Sequence, residues 1–391
     1  MAVGQFDAVA ALSPSGVRLV CGYVKDGQTY VLDSLFAPGK VFSGAKIIDT
    51  EGVARLLRIV VDDASKDLKT PIRALAAIVP PFGLDTLKEE SRTSTVGESV
   101  TEVDGLNCMG IIAKKLSESQ AKRLLGILPY EYSIEANQAM DHFPKGFPAT
   151  ELGVKAQVAL ADEGVLDSVR EVFAKAGVGL ALVLPSTLAV ARYLRNAQGL
   201  PPSYLLLDLG SQVSSCSFVQ GGQVIETDLS FFGGNNLTQA IAKTFHLDRE
   251  EAERYKKTFG ISADPSFGYK TPSGFTQGEL SRVIKSSLTP LMELVGRIET
   301  AVSIEQQKGL VTTGGASNLN GLSKWLSDNL GKDVYALAVP NPGARYRGDV
   351  DLLGGLLEME DMRWMLLRRE THAGILRRRS EGDKEDGSGK E

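Results

Sequence analysis

Residues 205–215 read LLLDLGSQVSS, an apolar run broken by one aspartate and followed by a glycine and hydroxyl residues. A carboxylate buried without a partner costs several kcal/mol, so Asp208 either meets a ligand's charge or caps a turn. Backbone N–H groups of a hairpin built from Gly210, Ser211, Ser214 and Ser215 can cradle phosphates, and the Asp208 carboxylate can hold Mg2+ through waters. TTGGASNL places Gly314 and Gly315 between an apolar strand and a helix. Paired glycines there let the backbone approach a ligand, and the helix N-terminus favours anions; a tight strand–helix turn would need the same residues. Gly233-Gly234 opens another helix, with the same two readings. Glu253 and Lys256, three residues apart on a helix, form either part of a site or a surface ion pair.

The rest of the composition removes other chemistries. The chain has 391 residues, enough for two or more domains, with 43% hydrophobic content and a formal net charge of −5. An acidic balance recruits no nucleic acid. Cys21, Cys108 and Cys216 are far apart and form no CxxC pair, and His142, His246 and His372 are equally scattered. Neither a zinc site nor a disulfide framework is expected, which suits a reducing cytoplasm. The start, MAVGQFDAVAAL, lacks the basic residues and the apolar length of a signal peptide. No stretch approaches the roughly 18–20 apolar residues of a spanning helix.

The elements that must carry the candidate residues follow α/β grammar. FDAVAAL, VRLVCGYV and TYVLDSLF read as a strand meander, GVARLLRIVVDDASKDL as a helix with apolar residues at Val53, Leu56, Leu57, Val60, Val61 and Ala64, and ALAAIVP as a buried strand. Residues 80–165 are more polar and read as a small α+β insertion, containing the strands LGILPYEYSIE and GVKAQVAL. LDSVREVFAKAG is a helix ended by Gly177. The second half repeats the opening: YLLLDLG, SSCSFV and VIETDLSFF as strands, NNLTQAIAKTF, DREEAERYKKTFG and SRVIKSSLTPLMELVGRIETAVS as helical segments, then LVTTGGASNLNGLSKWLSDNL as strand, glycine turn and helix. Turns with acidic or hydroxyl residues near 13 and 211 imply an internal duplication, two α/β halves around a cleft.

Strand-DxG-hydroxyls, hairpin, Gly-Gly-helix, AExxK, helical segment and TGGAS, in that order, resemble the superfamily of actin, sugar kinases and heat-shock chaperone ATPases. Within it the chain resembles the bacterial cell-division protein FtsA and the pilus-assembly protein PilM over roughly residues 1–360. The residues that carry this are SGAKIIDTEGVARLLRIVVDDA (43–64), LGILPYEYSIE (125–135), GVKAQVAL (153–160), LVLPSTLAVARYL (182–194), LLLDLGSQVSSCSFVQGGQ (205–223), FFGGNNLTQAIAK (231–243), EEAERYKKTFG (250–260) and VTTGGASNLNGL (311–322). The resemblance implies an actin-like two-lobed ATPase fold of class α/β, made of duplicated ribonuclease-H-like domains with an FtsA-type α+β inserted subdomain. Lobe 1 would comprise 1–79 and 166–200, the insertion 80–165, and lobe 2 the segments 201–246 and 307–360 around a helical subdomain at 247–306.

It further implies ATP with Mg2+ as ligands. Asp208, Gly210, Ser211 and Ser214 match the second phosphate loop, with Asp208 on the Mg2+ side. Gly233 and Gly234 match the glycines beside the nucleotide, Glu253 and Lys256 the pair near ribose and base, and Gly314, Gly315 and Ala316 the adenosine loop. In the first phosphate loop, AALSPSGVRLV, Ser13 and Ser15 are the expected ligand-side residues. Ala11 stands where relatives carry an acid, Ser13 where they carry glycine, and Asp7 lies four residues too early. Gln212 and Val213 depart from the usual small residues of the second loop, and Leu184-Pro185 lacks an acid before proline. With one carboxylate missing and no base in view, ATP binding is expected and at most slow hydrolysis.

Residues 361–391 form a basic amphipathic segment with an acidic tail, expected to be disordered at its end. Trp364, Met365, Leu366, Leu367, Ile375 and Leu376 alternate with arginines that include Arg368 and Arg369. That composition suits an anionic membrane surface, as in FtsA-type proteins, or a last helix packed on the domain. The expected role is therefore a cytoplasmic protein on the inner face of the cell membrane, self-associating into filaments or dimers, and tethering the tubulin-like division protein FtsZ and other division proteins. The alternative is a PilM-like cytoplasmic adaptor of type IV pilus or secretion assembly. A small-molecule kinase of the same fold would need a positioned base and an intact first loop.

Overall fold

A computed structural model describes residues 6–117, 122–135, 138–262, 270–302, 309–337 and 349–365. They fall into two compact units. The first runs to Thr86 and again from Ala159 to Leu357; the second holds Leu87–Val158 and the chain from Glu358 onward.

The first unit contains the same sheet twice. Strands β1 (Asp7–Ser13), β2 (Gly16–Lys25) and β3 (Gln28–Pro38) form an antiparallel meander. Helix α1 (Thr50–Asp67) then crosses to β4 (Ala74–Val79), which lies parallel to β1. Helix α3 (Glu163–Ala176) leads to β9 (Gly179–Pro185), and helix α4 (Ser186–Leu194) follows. The strand order is β3-β2-β1-β4-β9. Such a sheet is covered on both faces, so β1 reads as a near-continuous apolar run and not as an alternation. Helix α1 forms because Val53, Ala54, Leu57, Val60, Val61 and Ala64 make one buried stripe, and Asp49 caps it by accepting the Gly52 N–H at 2.7 Å. Gly177, φ 71°, ends α3 with a left-handed cap.

The second copy has β10 (Ser203–Leu209), β11 (Ser214–Gln220), β12 (Gln223–Ser230), β13 (Gly309–Thr313) and β14 (Asp333–Ala336), in the order β12-β11-β10-β13-β14. Helices α5 (Gly234–Phe245) and α6 (Arg249–Phe259) follow the meander. The helical stretch read across 281–303 is two helices, α7 (Gln277–Ser287) and α8 (Thr289–Ala301). Pro290 explains the break: it lacks an N–H and is tolerated only in a first turn. Helix α9 (Leu322–Leu330) precedes β14. A core of Leu205, Leu207, Phe218, Leu237, Ile241, Leu280, Leu294 and their neighbours holds this half together.

Helix α10 (Val350–Asp361) follows β14. Its glycines permit backbone-level packing in the first unit. A Cβ on Gly354 would lie 1.8 Å from the Ala189 carbonyl oxygen, and one on Gly355 would lie 2.7 Å from Val9.

The second unit carries a sheet of order β5-β8-β6-β7, from β5 (Asp85–Ser94), β6 (Arg123–Ile134), β7 (Gln138–Met140) and β8 (Glu151–Ala161), with helix α2 (Glu102–Ser117). Its span, 87–158 plus the chain from 358, differs from the insertion expected at 80–165. Buried Asp104 organises the start of α2 by accepting the Val96 and Thr101 N–H groups, each at 2.8 Å. Trp364 stacks on Phe143 at 4.3 Å between ring centroids and lies against Gly105 of α2, while Met365 is 7% exposed. No helix among the described residues is long and apolar enough to cross a membrane.

Candidate functional site

A cavity of about 310 Å3 in the first unit is lined by residues of both sheet copies. They include Ala11, Ser13, Ser15 and Arg18 from the first hairpin, Asp208, Gly210, Ser211 and Ser215 from the second, and Thr313, Gly314 and Gly315 at and after the end of β13. Asp349 and Asp351 complete it at the start of α10. The strands bring these residues together by register. Ala11 pairs with Arg18 across β1–β2, Asp208 with Ser215 across β10–β11, and Asp208 with Thr313 in the parallel ladder.

Gly314 is required by its surroundings. Its φ is +84°, and a Cβ there would lie 2.3 Å from the Asp208 Oδ1 and 2.5 Å from the Leu209 carbonyl oxygen. Gly233 is required by close approach, since its Cβ would fall 2.6 Å from the Gly210 carbonyl oxygen. The Gly210 loop and α5 interlock: the Gly234 N–H donates to the Gly210 carbonyl at 3.0 Å, and the Asn235 N–H to the Ser211 carbonyl at 2.8 Å. Two orphan donors of the helix start are thus satisfied by the loop.

Six expected site residues, Ser214, Gly233, Gly234, Glu253, Lys256 and Ala316, do not line the cavity. The Ser214 hydroxyl, 1% exposed, donates to the Phe232 carbonyl at 2.8 Å, so Ser215 and not Ser214 faces the cavity. Glu253 and Lys256 do not line it. The Lys256 ammonium donates to the Gly234 carbonyl at 2.9 Å, the Thr238 hydroxyl at 2.8 Å and Glu253 at 2.7 Å. An ammonium has three donors: here two go to the start of α5 and the third to Glu253 on its own helix α6. Burial draws the Lys256 pKa below the ordinary lysine value, with Glu253 opposing the shift. Ala316, in the short 3-10 turn Gly315–Asn318, packs near Gly234.

Arg18, Asp349 and Asp351 were not among the residues singled out in the sequence. Arg18 Nη1 donates to Asp349 Oδ1 at 2.9 Å and Nη2 to Asp351 Oδ2 at 2.6 Å. Burial opposes the arginine's charge, but Asp351 and Asp349 outweigh it and raise its pKa. The usable signal was a cation in the apolar strand VRLV directly after the first turn, together with two acids two residues apart ahead of an apolar helix.

Asp208 responds to this cluster. Burial first, then the Asp351 charge, push its pKa up to about 6, and Arg18 only partly offsets them. A carboxyl raised above its unfolded value near 4 keeps its proton longer in the folded state. Stability is therefore full below pH 4 as far as this group is concerned, and falls as pH rises from about 4 to about 6. The water-facing side of the carboxyl screens part of this, leaving about 1–2 kcal/mol. Asp208→Asn is expected to gain about that much on wild type between pH 4 and 7, read as the difference between the two Tm-versus-pH curves. Parallel curves would refute it.

The donor set does not fit the Mg2+ expected at Asp208. The corresponding position of the other hairpin is Ala11, a guanidinium stands beside the carboxylate, and no group of three or more His, Cys, Asp or Glu among the described residues is arranged to hold a metal ion.

Comparison with known proteins agrees with the geometry. Residues 205–349 match the family model "Cell division protein FtsA". The cell division protein FtsA of Bacillus subtilis is 21% identical over 345 residues, covering 84% of this chain and 78% of the relative. The chain is similar to the FtsA proteins in sequence and has an actin-like fold. Among solved structures, the PilM-PilN type IV pilus biogenesis complex superposes with a TM-score of 0.59 at 16% identity, over 93% of this chain and 98% of that one. MreB5 of Spiroplasma citri bound to ADP gives a TM-score of 0.56 at 12% identity, over 93% and 98%. These likenesses show a shared actin-like fold.

Of the eight residues expected at a membrane, Leu366, Leu367, Arg368, Arg369, Ile375 and Leu376 lie outside the described residues, as does the acidic tail. Trp364 is half-buried, with its ring stacked on Phe143, and Met365 is buried.

Proposed function

We propose that this chain is an FtsA-type adaptor of bacterial cell division, which binds adenine nucleotide between the halves of its first unit and tethers an FtsZ-like filament at the inner face of the membrane. The observation that carries this is the coincidence of the FtsA family match, 205–349, with the glycine-lined wall formed by Gly210, Gly314 and Gly315. Nucleotide would act on the arrangement of the two halves and on self-association more than as fuel, since the first hairpin carries Ala11 where the second carries Asp208. Ser13, Ser15, Ser211, Gly314 and Gly315 would face the ligand; Glu253, Lys256, Gly233 and Gly234 would support the loop from behind.

The PilM-like alternative is favoured by one observation, a solved pilus complex that matches almost the full chain. One experiment separates the readings: co-sedimentation of the full chain with polymerised FtsZ from the same organism, with ADP, with ATP and without nucleotide. Co-pelleting that changes with nucleotide is expected. No pelleting with FtsZ, together with capture of a pilus inner-membrane protein from the same cells, would replace the division reading by the pilus one.

A further inference from the structure

The two hairpins at the cavity are one local structure repeated, and their registers show which residues correspond. In the first, Ser13 pairs with Gly16 around Pro14-Ser15. In the second, the Gly210 N–H bonds the Val213 carbonyl at 3.1 Å around Ser211-Gln212. Counting back from each turn, Gly210 corresponds to Ser13, Asp208 to Ala11, and Ser215 to Arg18. One copy therefore sets an acid opposite a small hydroxyl, and the other sets alanine opposite arginine. The acid lost at position 11 and the cation present at position 18 sit across from each other on neighbouring strands.

Arg18 is held there by two carboxylates at the start of α10, Asp349 just before it at 2.9 Å and Asp351 in its first turn at 2.6 Å, and Asp349 is 0% exposed. Asp208 interacts electrostatically with both Arg18 and Asp351. A divalent cation in such a cleft needs several oxygen ligands and keeps waters around itself. A guanidinium is permanently charged, planar and forked, and it satisfies carboxylates without open coordination positions. With it in place, Asp349 Oδ1 and Asp351 Oδ2 are already engaged, and a second cation beside it is repelled.

We infer that Arg18 takes the place of a divalent cation in this chain: a tethered guanidinium, seated on Asp349 and Asp351, supplies the counter-charge to Asp208, so the cavity works without Mg2+. An anionic ligand entering it meets a cation that belongs to the protein. Removing that cation takes the Arg18 charge away from three carboxylates at the cavity, Asp208, Asp349 and Asp351, and a metal ion then becomes useful.

The test is thermal unfolding of the full chain, wild type and Arg18→Ala, in EDTA, in millimolar Mg2+ and in millimolar Mn2+. It contains no nucleotide, so its failure is distinguishable from a failure to bind ATP. Wild type is expected to melt at the same temperature in all three. Arg18→Ala is expected to melt lower in EDTA and to recover by several degrees with either metal. Should Arg18→Ala not fold, Arg18→Gln keeps the side-chain volume and gives the same comparison. Titration of wild type with Mn2+, followed by the loss of free-ion signal in electron paramagnetic resonance, needs no variant and is expected to show no stoichiometric uptake. Uptake of one Mn2+ per wild-type chain, a wild-type melting shift with Mg2+, or an Arg18 variant that ignores both metals would each overturn the inference.

Discussion

A Gly314→Val variant is expected to lose nucleotide binding and to melt roughly 10 °C lower than wild type. Position 314 has φ +84°, a conformation in which a β-branched residue is a genuine outlier. Its Cβ would meet the Asp208 carboxylate at 2.3 Å and the Leu209 backbone at 2.5 Å, so two neighbours must move, one of them main chain. Overpacking of this kind costs about 1–3 kcal/mol, and the left-handed backbone adds about 1–2 kcal/mol. The side chain would also intrude on the wall of the cavity that Gly314 lines. Melting by circular dichroism and titration with a fluorescent ADP analogue check both halves of the expectation. A variant with wild-type melting and wild-type affinity would show that this glycine shapes nothing.

Gly354→Val is expected to have a still larger effect, on folding itself. Its Cβ would lie 1.8 Å from the Ala189 carbonyl oxygen, and that oxygen belongs to helix α4, so no rotamer change relieves the clash. Helix α10 would have to lift away from a core that includes Val9 and Ile78. Losses above about 4–5 kcal/mol are exceptional for single substitutions, and this is a site where one is expected. The readout is the yield of soluble chain and its unfolding midpoint in urea. Gly296→Ala is the control: a Cβ there meets nothing within 4 Å in helix α8, and the change should be neutral or stabilising by up to about 1 kcal/mol. Equal behaviour of the two variants would mean that the α10–α4 contact is not part of the folded core.

These two glycines also mark how far the sequence could be read. Gly314 was legible because it sits in a motif, between an apolar strand and a turn, where a glycine pair has a local reason to exist. Gly354 was not, because its reason is a helix 165 residues earlier in the chain, and a glycine inside LLGGLL gives no local sign of what crosses it. The same contrast runs through the cavity. Asp208 and Gly210 stood out by interrupting an apolar run. Arg18 sits in a strand as an ordinary end-of-strand cation would, and its two partners lie more than 300 positions away. The strands of both meanders followed from their apolar patterns and turns. Helix α2 did not, because its polar start hides an apolar stripe of Cys108, Met109, Ile112 and Leu116 that the composition of the surrounding residues masks. Lys256 illustrates a further limit. The spacing Glu253–Lys256 is the same for a ligand-facing pair and for a buried strut, and only the three acceptors around its ammonium tell them apart.

The interlock between the Gly210 loop and α5 has a mechanical meaning. Gly210 and Ser211 lend their carbonyls to the first N–H groups of the helix, and Lys256 grips the next carbonyl, that of Gly234. If the loop slid away alone, it would strip both caps together, at roughly 1–3 kcal/mol for each donor left unsatisfied. Loop, helix start and lysine therefore move as one gear. A ligand that shifts the loop turns α5 with it, and through Lys256 the push reaches α6, so the far side of this half responds in a step and not by degrees.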